Sequence, residues 1–202
     1  MVYISKVYTR FGDKGDTMLA NGDTVHKDSP RVRSYGEVDE LNSVVGMLRR
    51  DLEIELARPG CTSEHHRFAY SLDAQLMRIQ QELFNLGAEL ANPDAASDSA
   101  KVKIHGHHVD RLEQEIDSLN QPLSPLTSFV LPGGGSAGTT AHFARTVCRR
   151  AEREVLGLSR LQPVRSEACI YLNRLSDYFF VVARACAYSF GHTEVLWDSK
   201  NT

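Results

Sequence analysis

The residue types best suited to chemistry are concentrated in a few short segments of this 202-residue chain. The first is Thr9-Arg10-Phe11-Gly12-Asp13-Lys14-Gly15-Asp16-Thr17. Gly12 and Gly15 let the backbone turn sharply and present N–H groups. Arg10 and Lys14 add positive charge, and Thr9 and Thr17 add hydroxyls. Such a strip suits a polyphosphate, through clustered main-chain donors and charge-assisted hydrogen bonds. It is not a Walker A loop, because neither GxxxxGK[ST] nor a strand–loop–helix context is present. Asp13 and Asp16 are candidates to hold Mg²⁺ directly or through water, since that ion takes few protein carboxylates beside phosphate oxygens. The same composition also describes a Gly/Asp-rich arm with no ligand. Lys27, in Lys27-Asp28-Ser29-Pro30-Arg31-Val32, is a lone charge of interest because it follows this strip.

Later segments offer complementary groups. Asp39 and Asn42 are three apart and share a helix face near its N-terminus, where acidic residues also serve simply as dipole partners. Phe129 ends up on a constrained loop, in Phe129-Val130-Leu131-Pro132-Gly133-Gly134. Arg145, Arg149, Glu152 and Arg153 recur at spacings of three and four, forming one charged ridge, while Arg150 points elsewhere. As surface pairs these contribute only about 0.2–0.5 kcal/mol each. As guanidinium groups they match triphosphate oxygens in bidentate geometry. Asn173, Ser176 and Asp177 share one face of an otherwise apolar helix, and buried polar groups there need partners.

Five helices must position these groups. Leu41, Val44, Val45, Leu48 and Leu52 mark an amphipathic helix starting near Ser34, broken at Pro59-Gly60. Leu72, Leu76, Ile79, Leu83, Leu86 and Leu90 carry a second, from about Glu64 to Leu90, ended by Asn92-Pro93. Residues 92–104 read as a surface loop. Val109, Leu112, Ile116 and Leu119 carry a third helix. Residues 120–135 form a long Pro/Gly-rich connection of the kind that often serves function. A fourth helix is expected from about Ser136 to Leu158 and a fifth from about Pro163 to Phe190. Strands of useful length are not expected outside the two ends. The pattern predicts an all-α, five-helix up-and-down bundle of ferritin-like size. It is one domain over residues 1–202, with an N-terminal arm at 1–30 and the bundle at 34–190.

Composition narrows the function classes. The net charge of −3, from 23 basic and 26 acidic residues, argues against a nucleic-acid-coating protein. Cys61, Cys148, Cys169 and Cys186 form no CxxC pair and have no zinc spacing, so free thiols in a reducing compartment are expected. No signal-peptide pattern or membrane-spanning apolar run is apparent, which predicts a cytoplasmic protein without membrane partners. His105, His107 and His108 are either a metal-binding cluster or a solvated helix start. The missing Glu-x-x-His pairs argue against a di-iron bundle.

Together the segments resemble the ATP:cob(I)alamin adenosyltransferases of the propanediol-utilisation and human mitochondrial type. The matching strings are Tyr8 to Thr17 (YTRFGDKGDT), Tyr35 to Gly46 (YGEVDELNSVVG), Phe129 to Gly134 (FVLPGG), Ala144 to Arg153 (ARTVCRRAER) and Leu172 to Ala183 (LNRLSDYFFVVA). They occur in the family's order across almost the whole chain. The segment from Ser97 to His108 departs from the pattern, and Ser34 stands where alanine is common.

The resemblance implies transfer of the 5′-deoxyadenosyl group of ATP to cob(I)alamin, with release of triphosphate, by a homotrimer with active sites between subunits. It implies ATP contacts from Thr9, Arg10, Phe11, Gly12, Lys14, Gly15, Thr17 and Met18 in the arm, and from Lys27. From the later helices it implies Arg149, Arg150, Glu152, Arg153 and Asn173, with Mg²⁺ held through the phosphates and Glu152 as its candidate protein ligand. Asp39 and Arg145 would pair between subunits beside the corrin ring, and Phe129 would sit under the cobalt. A flavin-type reductase and a B12-dependent acceptor enzyme are the implied partners. A carrier that binds nucleotide and cobalamin without turnover, and a purely structural bundle, are the competing readings.

Overall fold

Ser29-Pro30 starts the first helix four residues before the apolar period indicates. Proline at the first helical position has no intrahelical N–H to lose, and its fixed φ fits the opening turn. Helix α1 therefore runs Pro30–Leu56. Thr62 closes the start of α2, Ser63–Leu90, with a reciprocal cap: its side chain accepts the His65 N–H, and its own N–H donates to His65 Nδ1 at 2.9 Å. The computed structural model describes residue 8, residues 10–94 and residues 102–200, so Thr9 and part of the 92–104 connection lie outside the described residues. Helix α3 is Gly106–Asn120, α4 is Gly135–Ser159 and α5 is Ser166–Ser189. Pro163, the expected start of α5, lies in the turn before it.

The three histidines build the start of α3. The His105 N–H donates to His108 Nδ1 at 2.9 Å, and the His105 ring stacks with those of His107 and His108. Among the described residues no group of three or more His, Cys, Asp or Glu side chains is arranged to hold a metal ion.

Cross-helix bonds fix the directions. Arg49 on α1 meets Asp73 on α2, and Arg78 on α2 meets Glu115 on α3. Thr140 and Asp51 join α4 to α1, and Asn173 and Glu152 join α5 to α4. These neighbours run antiparallel, whereas α3 and α5 run parallel, with Arg165 on Ile104 O and Arg174 on Glu113. The bundle is thus up-and-down, as the apolar periods predict. Helix α5 is buried almost all round, through Tyr171, Leu172, Leu175, Tyr178, Phe179 and Val182. Its exposed face is narrow, carrying Ile170, Asn173 and Asp177, and a helix buried over most of its surface belongs in the middle. Its buried hydroxyl at Tyr171 donates to Glu82, which also takes Arg78, so that buried hydroxyl is matched.

The core comprises the residues that set the period: Leu41, Leu48, Leu76, Leu83 and Leu172 are fully buried. Truncating Leu48 to alanine is expected to lower the unfolding free energy by about 2–5 kcal/mol. Urea denaturation checks this, and a loss under about 1 kcal/mol would remove Leu48 from the tightly packed core. Among the described residues no helix is long and apolar enough to cross a membrane.

The N-terminal arm is more ordered than its composition suggests. A 3₁₀ turn at Phe11–Lys14 leads into β1, Asp16–Met18, which pairs antiparallel with β2, Thr24–His26. Asp16 faces His26 in this register, and their side chains pair at 2.8 Å. A second antiparallel bridge joins Val130 to Leu196 near the C-terminus.

Candidate active site

The arm is closed by one lysine. Lys27 Nζ donates to Gly12 O at 2.8 Å, and the Lys27 N–H donates to Gly15 O at 2.8 Å. A Cβ on Gly12 would lie 2.8 Å from that ammonium, so a larger residue there would displace the Lys27 side chain from Gly12 O. Arg10 takes a left-handed backbone, φ 62°, and Gly15 a φ of 93°, which fold the strip back on itself. The Ala20 N–H donates to Ala91 O at 3.0 Å, fastening the hairpin to the end of α2. The arm thus brings Arg10, Gly12, Lys14, Gly15 and Lys27 together at one end of the bundle. Phe11 and Met18 are exposed beside them.

The arginine ridge lies on α4. Arg149 and Arg153 are exposed and make no salt bridge among the described residues. Glu152 Oε1 accepts from Asn173 Nδ2 at 3.0 Å, which orients the carboxylate between them. Arg150 is occupied differently. Its guanidinium is bound by Glu37, at 2.5 Å from Nε, and by Glu40, both on α1. These hydrogen bonds raise the Arg150 pKa further and hold the group to α1 as a packing cation. Helical geometry alone separates Arg150 from the ridge.

Arg145 is half-buried, and its Nε has no hydrogen-bond partner. Burial, and then the neighbouring Arg149 charge, push its guanidinium below the usual arginine range. A desolvated cation without a counter-ion calls for an anion from elsewhere. His142, one turn earlier, is buried with an unpartnered Nδ1. Burial and Arg145 lower its pKa, so it stays neutral at physiological pH.

Asp39 and Asn42 do share a face, as their spacing predicts. They line a cavity of about 400 Å³ between α1 and α2 with Tyr35, Gly36, Phe84 and Gly87. Asn42 Oδ1 is buried there without a partner. Phe84 ends a row of exposed residues on α2, Tyr70, Met77 and Phe84, at spacings of seven. That heptad was readable in the sequence, as a second apolar stripe opposite the core stripe of the same helix. Asp16 is taken by His26. For a Mg²⁺ ion the available set is therefore slight. Glu152 keeps one carboxylate oxygen beyond its Asn173 bond, and this fits a cation carried mainly by phosphate oxygens.

Phe129 is 78% exposed, far more than a core aromatic. Trp197 lies beside it, ring centroids 6.2 Å apart and tilted by 59°. The Trp197 N–H donates to Phe129 O at 2.7 Å, and the Leu131 N–H donates to Val195 O at 2.8 Å. Sequence reasoning missed this C-terminal segment. Its only signal was that it contains the single tryptophan of the chain.

The two ends of the bundle carry different halves of this equipment. The hairpin is fastened at the end of α2, beside the start of α1. Phe129 precedes α4, whose first turn meets Glu55 at the end of α1. They lie toward opposite ends of α1, whose 27 residues span about 40 Å at about 1.5 Å per residue.

Comparison with known proteins converges on one family. The profile of the cobalamin adenosyltransferases matches residues 7–186. A corrinoid adenosyltransferase of Bacillus subtilis is 41% identical over 179 residues, covering 89% of this chain and 85% of that protein. The human corrinoid adenosyltransferase MMAB is 36% identical over 197 residues, covering 96% of this chain and 74% of its own length. A variant of the PduO-type ATP:corrinoid adenosyltransferase from Lactobacillus reuteri, solved with cobalamin and ATP, superposes with a TM-score of 0.82 at 38% identity. That match covers 96% of this chain and 97% of the other. A chain with this fold, this arm and this arginine ridge, matched along nearly its whole length, belongs to the cobalamin adenosyltransferase family.

Proposed function

We propose that the protein transfers the 5′-deoxyadenosyl group of ATP to the cobalt of cob(I)alamin and releases triphosphate. The observation that carries this reading is the pairing of a closed, cationic arm with an unpaired guanidinium ridge, in a chain of this family. Cobalt(I) attacks C5′ with its electron pair. The Co–C bond forms, the C5′–O bond breaks, and triphosphate leaves with that bond's electrons. Charge therefore grows on the leaving phosphate oxygens. Arg10, Lys27, Arg149 and Arg153 supply fixed positive charge and N–H donors there. Asn173 holds Glu152, and Glu152 is the side chain that would take Mg²⁺, which when bound neutralises phosphate charge. No side-chain general base is needed, so the protein's work is positioning, charge and exclusion of water.

The active site is shared between copies in a homotrimer. Three features support this. The arm and Phe129 lie toward opposite ends of α1, a helix about 40 Å long, so joining them takes two copies. Arg145 makes no salt bridge among the described residues, while Asp39 lines an open groove on another face. The exposed Tyr70, Met77 and Phe84 stripe runs along α2 to that groove, which Phe84 lines, and needs covering. Asp39 of one copy then pairs with Arg145 of the next, beside the corrin. Phe129 presses on the lower face of the corrin, displacing the axial base and water. A four-coordinate cobalt(II) has no ligand bond to lose on reduction, so a flavin-type reductase can deliver the electron. A B12-dependent enzyme takes the product.

Arg145→Ala is expected to weaken corrinoid binding and trimer assembly by roughly thirtyfold or more while leaving ATP affinity nearly unchanged, since a truncated charge pair costs about 2–5 kcal/mol. Calorimetry with each ligand, beside sedimentation, checks this. Equal losses for both ligands would remove Arg145 from the corrin side. The overall reading is tested with purified protein, ATP, Mg²⁺ and chemically reduced cobalamin. Co–C bond formation changes the absorbance spectrum. Tight binding of both substrates without that change would make the protein a carrier instead.

A further inference from the structure

Phe129 stands on a loop, and a loop by itself does not hold a ring to the tolerance that ligand exclusion demands. The chain after α5 supplies the missing rigidity. Residues 195–197 run along residues 128–131 as a short ladder. Besides the two main-chain bonds already described, the Ser128 hydroxyl donates to Trp197 O at 2.8 Å. This strap is in turn pinned to the bundle at two points.

The first pin is Glu55, near the end of α1, whose side chain is 2% exposed. His192 Nε2 lies 2.9 Å from Glu55 Oε2, and Arg58 Nη1 lies 2.8 Å from the same oxygen. Glu55 Oε1 accepts from the Ser136 N–H at 2.8 Å and from the Ser136 hydroxyl at 2.9 Å, which caps the first turn of α4. Burial pushes the Glu55 carboxyl up, but the bonds from His192, Arg58 and Ser136 outweigh it and bring it to about 2, so it stays ionised. Gly135, at φ 78°, has no room for a side chain. A Cβ there would overlap the His192 ring and lie 2.6 Å from Glu55 Oε1. The second pin is Arg184, buried on α5. Its Nε and Nη2 reach the Glu194 carboxylate at 3.0 and 3.3 Å, and Nη2 also donates to Ser124 O at 2.8 Å.

Buried ion pairs are often replaceable by apolar residues without loss of stability. Two of them converging on eight residues of chain therefore call for a role beyond stability. We propose that Glu55 with His192, and Arg184 with Glu194, are positioning residues for the adenosyl transfer: they clamp the C-terminal strap, and the strap fixes the Phe129 ring against the corrinoid. This rests on the reading that Phe129 presses on the lower face of the corrin. The same geometry makes Trp197 the second wall of that apolar platform.

The test uses the full-length protein with ATP and cob(II)alamin, and reads the four-coordinate cobalt(II) fraction by electron paramagnetic resonance. His192→Ala and Glu194→Ala each cut one pin and leave Glu55 bonded to Arg58 and Ser136, and Arg184 bonded to Ser124 O. Each is expected to lower the four-coordinate fraction roughly ten- to a hundredfold, the loss that follows about 1 Å of misplacement. ATP affinity and turnover of pre-reduced cob(I)alamin should change far less. The melting temperature of His192→Ala should stay within about 5 °C of the parent, while that of Glu194→Ala should fall further, since it leaves the buried Arg184 without its carboxylate. His192→Gln, which keeps a donor for Glu55, should restore most of the signal. Phe129→Ala is measured alongside. If it abolishes the signal while both pin variants retain it, the clamp is overturned and the Phe129 reading stands. If Phe129→Ala keeps the signal, the Phe129 reading fails and the clamp falls with it. A pin variant that loses ATP affinity in parallel would show general unfolding and also overturn the clamp.

Discussion

Phe129→Ala is expected to cut turnover with cob(II)alamin and a reductant by roughly a hundredfold or more, while ATP binds as before. The size follows from the role. A ring that excludes an axial ligand and water supplies about 3 kcal/mol of the barrier, and 1.36 kcal/mol corresponds to a factor of ten. The cost in stability should be small, because the ring is 78% exposed and substitutions at such positions usually stay within about 0.5 kcal/mol. This separation of activity from folding is the useful feature. A buried phenylalanine lost from a core would cost about 3–5 kcal/mol of stability instead. The loss should also depend on the oxidation state supplied. With chemically prepared cob(I)alamin the difficult reduction is bypassed, and much of the deficit should vanish. Steady-state rates with the two cobalamin forms, and a thermal melt, decide the matter. An equal deficit with both forms would place Phe129 in the transfer step rather than in the preparation of cobalt.

Arg149→Ala is expected to lower kcat/KM for ATP by roughly 10²–10³-fold, the loss typical of removing one preorganised donor to a developing anion. Arg149 is exposed and makes no salt bridge among the described residues, so nothing in the fold consumes its charge. Its removal should therefore leave stability unchanged and corrinoid binding nearly so. Arg149→Lys keeps the charge but not the planar fork, and should fall between the two. Arg150 provides the contrast. Its guanidinium already binds Glu37 and Glu40 on α1, so Arg150→Ala should act mainly on α1–α4 packing and only weakly on ATP. Steady-state kinetics with ATP varied at saturating cob(I)alamin measures all three. Comparable losses at Arg149 and Arg150 would mean that Arg150 leaves α1 when the nucleotide binds.

The helices and their order were legible in the sequence because each carries its own signal. The Leu72 to Leu90 period and the Asn92-Pro93 stop define α2 without reference to any other element, and Leu172, Leu175, Phe179, Val182 and Cys186 mark α5 in the same way. The arginine ridge was legible for the same reason, since a spacing of four fixes a shared face whatever the helix packs on. The short hairpin was not, because three-residue strands have no period to detect and are held by partners such as Lys27 on Gly12 O and Ala20 on Ala91 O.

What the sequence by itself determined, then, is local: which segments are helical, which face each presents, and which side chains are chemically fit for phosphate. What only the tertiary structure decided is relational. It assigned Arg150 to Glu37 and Glu40 although it stands beside Arg149 in the chain. It gave Arg145 no salt bridge among the described residues and put the arm and Phe129 toward opposite ends of α1. It also brought Glu55 to His192 across 137 positions, a contact that no periodicity encodes. The physical reason is that periodicity reports the geometry of one element, whereas ion pairing and burial depend on which elements meet, and that is settled by packing of the whole core.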